Sequence, residues 1–458
     1  MIDLFIFSIV IALLISTGVY KSKRIKSESS YLFAARKTRW TALTATLVMT
    51  EFNSATLISF SSLGYVAGFW ALLLPFIFLF GLLFYAGTVA KKWKAFDGLS
   101  VAGFFSQRYG QDIGSYASLL LLLAMLGFSA AYIKSLTLLF HPLLPFLNPW
   151  IISGALFVLV LGMGLRGGLI AIIRTDILSA IFTVLFFPLV AFFMWNSETL
   201  PPISYPTSFF AEEILPIKFV FSLTILTMFT YILAPWYGQK IFAAETGKIA
   251  YRSVIAAAFI IFLLYGSAIL ATAFFKYRGF ECPSHEMALP HLIACCLPIG
   301  LRGFSYAVLF ATSATTLTGV WSAMSAMWIG DFIKNSAISK QKNCKRSILI
   351  TFMFATLSFL LANTLVDKVF DKLILANIPV AALSFGLLAG FYWKRASRQG
   401  VLFSIIMGCI CGIGAYWIFG EEGGYTWYWA VYGIPLTFLT GITASLLYTN
   451  NQKKTLRI

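Results

Sequence analysis

The sequence is poor in charge. Only 11% of its 458 residues are Asp, Glu, Lys or Arg, against about 25% in a soluble globular protein. It holds just 17 acidic residues and three histidines, His141, His285 and His291. Long polar stretches are missing too: no segment outside the apolar runs exceeds roughly 20–25 residues, the length of a single membrane span. These shortages exclude a cytosolic enzyme, a disordered chain and an attached nucleotide-binding or kinase domain. No G-x-x-x-x-G-K-[ST] phosphate loop is present. Cysteine is scarce as well. Cys282, Cys295, Cys296, Cys344, Cys409 and Cys411 show no zinc-ligand spacing with the histidines; we read them as packing residues, with a Cys282 bridge to Cys295 or Cys296 the less favoured option.

What fills the chain is apolar: 59% hydrophobic residues and a mean hydropathy of +0.86. A bilayer core takes roughly 20 apolar residues per helix. Thirteen segments qualify: 2–19, 40–66, 69–90, 114–138, 149–165, 170–195, 216–237, 252–275, 302–329, 347–366, 373–393, 400–419 and 426–448. The first resembles a signal peptide, but its charge is reversed. Asp3 precedes the run, and Lys21, Lys23, Arg24 and Lys26 follow it, whereas a signal peptide carries its positive charge first. It reads as a retained span with an outer N-terminus.

Alternating from there, 27 of the 34 basic residues fall on one side of the membrane, and ten of the 17 acids fall on the other. The basic side is cytoplasmic. The net charge of +17 is therefore topology, and no nucleic-acid partner is implied. The expectation is an all-α polytopic protein of the plasma (inner) membrane, with about 13 transmembrane helices and a cytoplasmic C-terminus.

Three spans carry polar groups where polarity is costly. The second reads Met49-Thr50-Glu51-Phe52-Asn53-Ser54-Ala55-Thr56 between two apolar runs. A carboxylate at mid-bilayer costs about 2.5–3.5 kcal/mol on insertion scales, and short polar side chains compete for backbone hydrogen bonds. The run predicts a local break facing protein or a cavity, whose freed carbonyls suit a cation. The competing reading is a polar patch that joins helices, which leaves Glu51 unexplained. The seventh span contains Pro235 in Ala234-Pro235-Trp236-Tyr237, either a break or a simple helix end. In the ninth, Thr312, Thr315, Thr316 and Gly319 recur at i, i+3, i+4 and i+7. That face offers hard oxygen ligands, or a small-residue packing stripe.

Spans two and seven stand five apart. A five-helix unit repeated once is inverted, because five is odd, and matching breaks in two inverted halves point to a midplane binding site. The expected organisation is one transporter domain over 1–458: a first helix and loop (1–39), repeat one (40–195), repeat two (214–393) and two C-terminal helices (400–448).

Five ordered segments resemble the sodium:solute symporters, a family that includes proline, pantothenate, sugar and iodide carriers. They are Tyr31 through Lys37 with Met49 through Tyr65; Leu99 through Gly110; Gly167 through Asp176; Gln239 through Ala244; and Leu383 through Gly400. The resemblance implies a LeuT-type fold of two inverted five-helix repeats plus flanking helices, and sodium-coupled uptake of a small organic solute by alternating access. It implies Na+ as coupling ion, no other cofactor and no enzymatic role. It places sodium on the carbonyls of Met49, Phe52 and Thr312 and the hydroxyls of Thr315 and Thr316. Glu51 matches a position that is acidic in some carriers and neutral in others; it supports sodium, or takes a proton and makes the chain a proton-coupled symporter. Asn53, Ser54 and Thr56 fall among the substrate contacts, and Trp236 matches an aromatic inner gate of sugar carriers.

Lys134, in the fourth span, departs from the family pattern. It either snorkels to the outer headgroups or faces the site and pairs with Glu51 or a substrate carboxylate. Asp176 and Asp331 read as structural groups at cytoplasmic helix ends, Asp176 suiting the helix dipole. Two other classes stay open: a membrane enzyme, for which no nucleophile, base or metal cluster is evident, and a non-transporting sensor or scaffold.

Overall fold

A computed structural model describes residues 2–19, 37–96, 98, 100–164, 168–333, 345–420 and 424–448. The basic loop 20–36, Cys344, Glu421, Glu422 and the tail 449–458 lie outside the described residues. The named helices are α1 (Ile2–Val19), α2 (Trp40–Glu51), α3 (Ser54–Ala67), α4 (Pro75–Tyr85), α5 (Val101–Tyr109), α6 (Gln111–Phe140), α7 (Pro149–Gly164), α8 (Gly168–Asn196), α9 (Ile217–Tyr231), α10 (Pro235–Phe242), α11 (Gly247–Tyr277), α12 (Ala288–Cys296), α13 (Leu301–Phe332), α14 (Lys345–Thr364), α15 (Val369–Leu375), α16 (Asn377–Ala382), α17 (Ser384–Tyr392), α18 (Arg398–Phe419) and α19 (Ile434–Tyr448). Among the described residues ten helical segments are long and apolar enough to cross a membrane, and the bent pair α9–α10 makes eleven. Ile2–Leu14 and Pro149–Met163 are apolar but shorter.

Most expected spans are found within a few residues of their expected ends; α13 runs Leu301–Phe332 against the expected 302–329. The third differs at its start. Residues 69–73 belong to a 3-10 turn, Gly68–Leu73, that extends α3. The next helix opens at Pro75, where a missing N–H costs nothing. The reversal is made by Gly68, whose φ is +58° and whose added Cβ would strike the Tyr277 hydroxyl at 1.8 Å. An apolar run continues straight through this turn, so hydropathy alone does not reveal it.

α13 sits at the centre. It is the least apolar of the membrane-length helices, yet its span is wholly buried within the protein, packed by α1, α2, α6 and α8. Its hydroxyls thus face other helices rather than lipid, as polar groups in a bilayer must. α18 and α19 pack on each other at the periphery and leave most of their surface outward.

Two devices hold this arrangement at the outer end. The Asp3 carboxylate accepts the backbone N–H groups of Gly300 (2.7 Å) and Gly303 (3.0 Å), satisfying orphan donors at the start of α13. Gly303 has no room for a side chain: an added Cβ would lie 2.1 Å from the Asp3 carbonyl oxygen. Gly303→Ala is therefore expected to push α1 off α13 at a cost of about 1–3 kcal/mol, read as a lowered melting temperature of the purified protein. The second device is Arg278, whose guanidinium donates to the carbonyls of Met194 (2.7 Å), Trp195 (2.9 Å), Leu200 and Pro201. It supplies the donors that the last carbonyls of α8 lack. Cys282, Cys295, Cys296, Cys409 and Cys411 are free thiols.

Candidate functional site

The second span breaks where its sequence predicts. α2 ends at Glu51, Phe52 and Asn53 leave the helical path, and α3 begins at Ser54. Asn53 builds both sides of the break. Its Oδ1 accepts the Thr56 N–H at 2.9 Å and caps α3, while its Nδ2 donates to the Glu51 carbonyl at 2.9 Å. Tyr265 of α11 clamps the same point: its hydroxyl donates to the Glu51 carbonyl at 2.7 Å and accepts the Asn53 N–H at 3.3 Å. The backbone groups freed by the break are thereby satisfied, the condition for irregular chain at membrane depth.

The seventh span breaks as well. α9 stops at Tyr231, and α10 starts with Pro235 in its first turn at 47° to α9. Pro235 thus restarts a helix rather than ending one at the surface.

Against the first break lies the hydroxyl face of α13. The Thr316 hydroxyl donates to the Met49 carbonyl at 2.9 Å and to the Thr312 carbonyl at 2.8 Å. Thr315 donates to the Thr312 carbonyl at 3.2 Å. Three of the five expected ligand positions, Met49, Thr312 and Thr316, are therefore joined by direct bonds. Thr315 turns towards α8, lining a small gap with Ile172 and Thr175. Phe52 is fully buried, its ring against Phe187 and Tyr265.

Glu51 is 2% exposed. Its Oε2 accepts a hydrogen bond from Tyr231, and its Oε1 has no partner. Above it opens a cavity of about 560 Å³, partly open to the outside, lined by Asn53, Thr56, Phe60, Phe128, Tyr132, Thr227, Tyr231, Trp236, Phe370 and Asn377 among others. No charged side chain lines it. Trp236 packs edge-on to Phe128 at 5.1 Å. Ser54 faces elsewhere: its hydroxyl meets Ser135 at 2.6 Å and ties α3 to α6. Lys134 is not among the cavity residues. Its charge acts on Glu286 in the outer loop, whose carboxyl burial pushes above the usual range while Lys134 draws it back.

Several site residues were not singled out by sequence. Tyr231, Tyr265, Thr227 and Asn377 converge only through the packing of distant helices. Lys240 is the larger correction. Counted as a cytoplasmic loop charge, it is in fact 2% exposed, with its ammonium 2.7 Å from Asp176. Asp176, read as a helix-end residue, lies two turns inside α8 and is fully buried.

Residues 31–408 match the Sodium:solute symporter family. The chain belongs to this family. Among curated members, the sodium/myo-inositol cotransporter of Mus musculus is 26% identical over 145 residues, covering 29% of this chain and 20% of that protein. The sodium/glucose cotransporter 1 of Oryctolagus cuniculus is 22% identical over 148 residues, covering 30% and 22%. The aligned region thus spans about a fifth of the length of these relatives. In fold the symporter is similar to a Na+-coupled sialic acid symporter solved in a substrate-bound outward-open state, with a TM-score of 0.79 at 18% identity, covering 100% of this chain and 99% of that one. It is also similar to MhsT in complex with L-phenylalanine, at a TM-score of 0.50, 14% identity and 89% and 100% coverage. The chain is accordingly a multi-pass membrane protein of a transporter family.

Proposed function

We propose that this protein is a sodium-coupled symporter that imports a small organic solute by alternating access. The observation that carries the reading is the direct bond from Thr316 to the Met49 carbonyl at a helix break that also borders the cavity. Sodium is a hard cation that takes oxygen donors. A break supplies carbonyls free of helical bonding, α13 supplies hydroxyls, and Asn53 belongs to both the break and the cavity. Ion and solute then stabilise the same arrangement of α2, α3 and α13. Such shared stabilisation is what coupling requires, because an ion shifts a conformational equilibrium only through differential affinity for its states.

The finer architecture belongs to this proposal. Thirteen spans result if the ten membrane-length segments, the bent α9–α10 pair and the shorter helices α1 and α7 all cross. Helices two and seven are the interrupted ones, which supports two inverted five-helix repeats, spans 2–6 and 7–11, over 40–195 and 214–393, with the remaining helices flanking. The N-terminus is outside and the C-terminus cytoplasmic. The cavity lining sets the solute class: amide and hydroxyl groups beside aromatic faces, without charge, suit a neutral, hydroxyl- or amide-bearing molecule. The names of the myo-inositol and glucose relatives agree with a neutral solute.

A second reading is proton coupling through Glu51. It is supported by the isolation of that carboxyl, whose direct bond is to a neutral tyrosine and whose second oxygen is free. Counterflow without sodium that survives Thr316→Ala but is lost in Glu51→Gln would favour it.

The test is a thermal-shift screen of the purified protein with a metabolite panel, with and without Na+. A neutral solute is expected to stabilise the protein more deeply when Na+ is present, since linked ligands add to stability together. A stabilising solute indifferent to Na+ would rule out sodium coupling.

A further inference from the structure

We propose that the Lys240 ammonium is a tethered resident cation filling a second monovalent-cation site. The ammonium lies 2.7 Å from Asp176 Oδ2 and donates to the Thr46 carbonyl at 3.1 Å. The Thr46 hydroxyl donates to the same carboxylate oxygen, and Thr315 lies beside that carboxylate. The surroundings are thus a carboxylate, a backbone carbonyl and threonine hydroxyls, an oxygen set that suits a small hard cation as well as an ammonium. Asp176 Oδ1, fully buried, has no hydrogen-bond partner. The cage offers one acceptor more than the lysine uses.

Its position gives the cage a function. Thr46 lies three residues before Met49 on α2, about 4.5 Å along the helix, and the Thr50 hydroxyl donates to the Thr46 carbonyl at 2.6 Å. On α13, Gly319 follows Thr316 by three residues and sits under the Lys240 side chain, where an added Cβ would meet Cε at 4.0 Å. Two cation positions therefore stack along the α2–α13 contact: one at Met49 and Thr316, one at Thr46 and Asp176. The chain's own lysine fills the second. This limits bound sodium to one per chain and fixes a positive charge beside the ion that moves. A plain structural ion pair has no such consequence, and burying one is weak grounds for stability in any case. The placement beside a sodium position rests on the function proposed above; the cage itself does not.

The cage is tested in a Thr316→Ala background, which removes the other cation position. Full-length purified protein is melted in NaCl, LiCl, KCl or choline chloride at equal ionic strength. Thr316→Ala alone is expected to melt alike in all four. Thr316→Ala with Lys240→Ala is expected to melt higher, saturably, in NaCl or LiCl than in choline chloride, and adding Asp176→Asn is expected to abolish that difference. Lack of any cation-selective rise on removing Lys240, or a rise that survives Asp176→Asn, would overturn the proposal. A second measurement needs no variant: equilibrium 22Na+ binding to the wild-type protein. One sodium per chain supports the filled cage, and two per chain would overturn it. No bound sodium would instead sink the sodium reading of the transporter, leaving the melting series to judge the cage.

Discussion

Thr316→Ala is expected to raise the Na+ concentration for half-maximal uptake at least about tenfold, the equivalent of 1.4 kcal/mol in binding. The hydroxyl is the one side-chain group bridging α13 to the Met49 carbonyl, at 2.9 Å. Its loss removes an oxygen from the proposed ion position, and bonds to a charged species are worth about 1.5–3 kcal/mol. It also leaves the buried Met49 carbonyl without this donor, so the ion-free protein should lose only about 1 kcal/mol of stability. Thr316→Ser keeps the oxygen and should stay close to wild type. The measurement is initial uptake rate against Na+ concentration in proteoliposomes. A half-maximal concentration unchanged in Thr316→Ala would remove this residue from the ion position.

The largest stability effect is expected at Lys240. Lys240→Met in a sodium-free choline buffer strands the Asp176 carboxylate, 0% exposed, without its cation. Breaking a buried pair by removing one partner costs about 3–5 kcal/mol. Removing both charges does not, so Lys240→Met with Asp176→Asn should recover most of the loss. Because the two groups touch at 2.7 Å, the four proteins of this cycle should show strong non-additivity. Additive losses would mean that the pair is not coupled.

Features set by local sequence were legible from it. The break in the second span follows from Glu51, Asn53 and Ser54 interrupting an apolar run, and it falls at Phe52–Asn53. The threonine face of α13 follows from helical spacing, and Thr312 and Thr316 do turn towards Met49. Features set by distant partners were not. Lys240 follows a membrane helix, and a charge count treats every such lysine as solvated. Only the approach of Asp176, 64 residues earlier, buries it. The cavity likewise depends on Asn377 and Phe370 meeting Asn53 and Thr56 across the bundle, which no periodicity records. Ser54 illustrates the converse: it sits within the broken segment, yet helix rotation aims it at Ser135 instead of the cavity.

The central claim is that a sodium gradient drives solute entry. Proteoliposomes holding the purified protein, given the stabilising solute in labelled form, test it directly. An inward Na+ gradient at equal pH should drive accumulation above equilibrium, and an inward proton gradient without Na+ should not. Accumulation driven by the proton gradient alone, and unaffected by Na+, would contradict the account and assign coupling to Glu51.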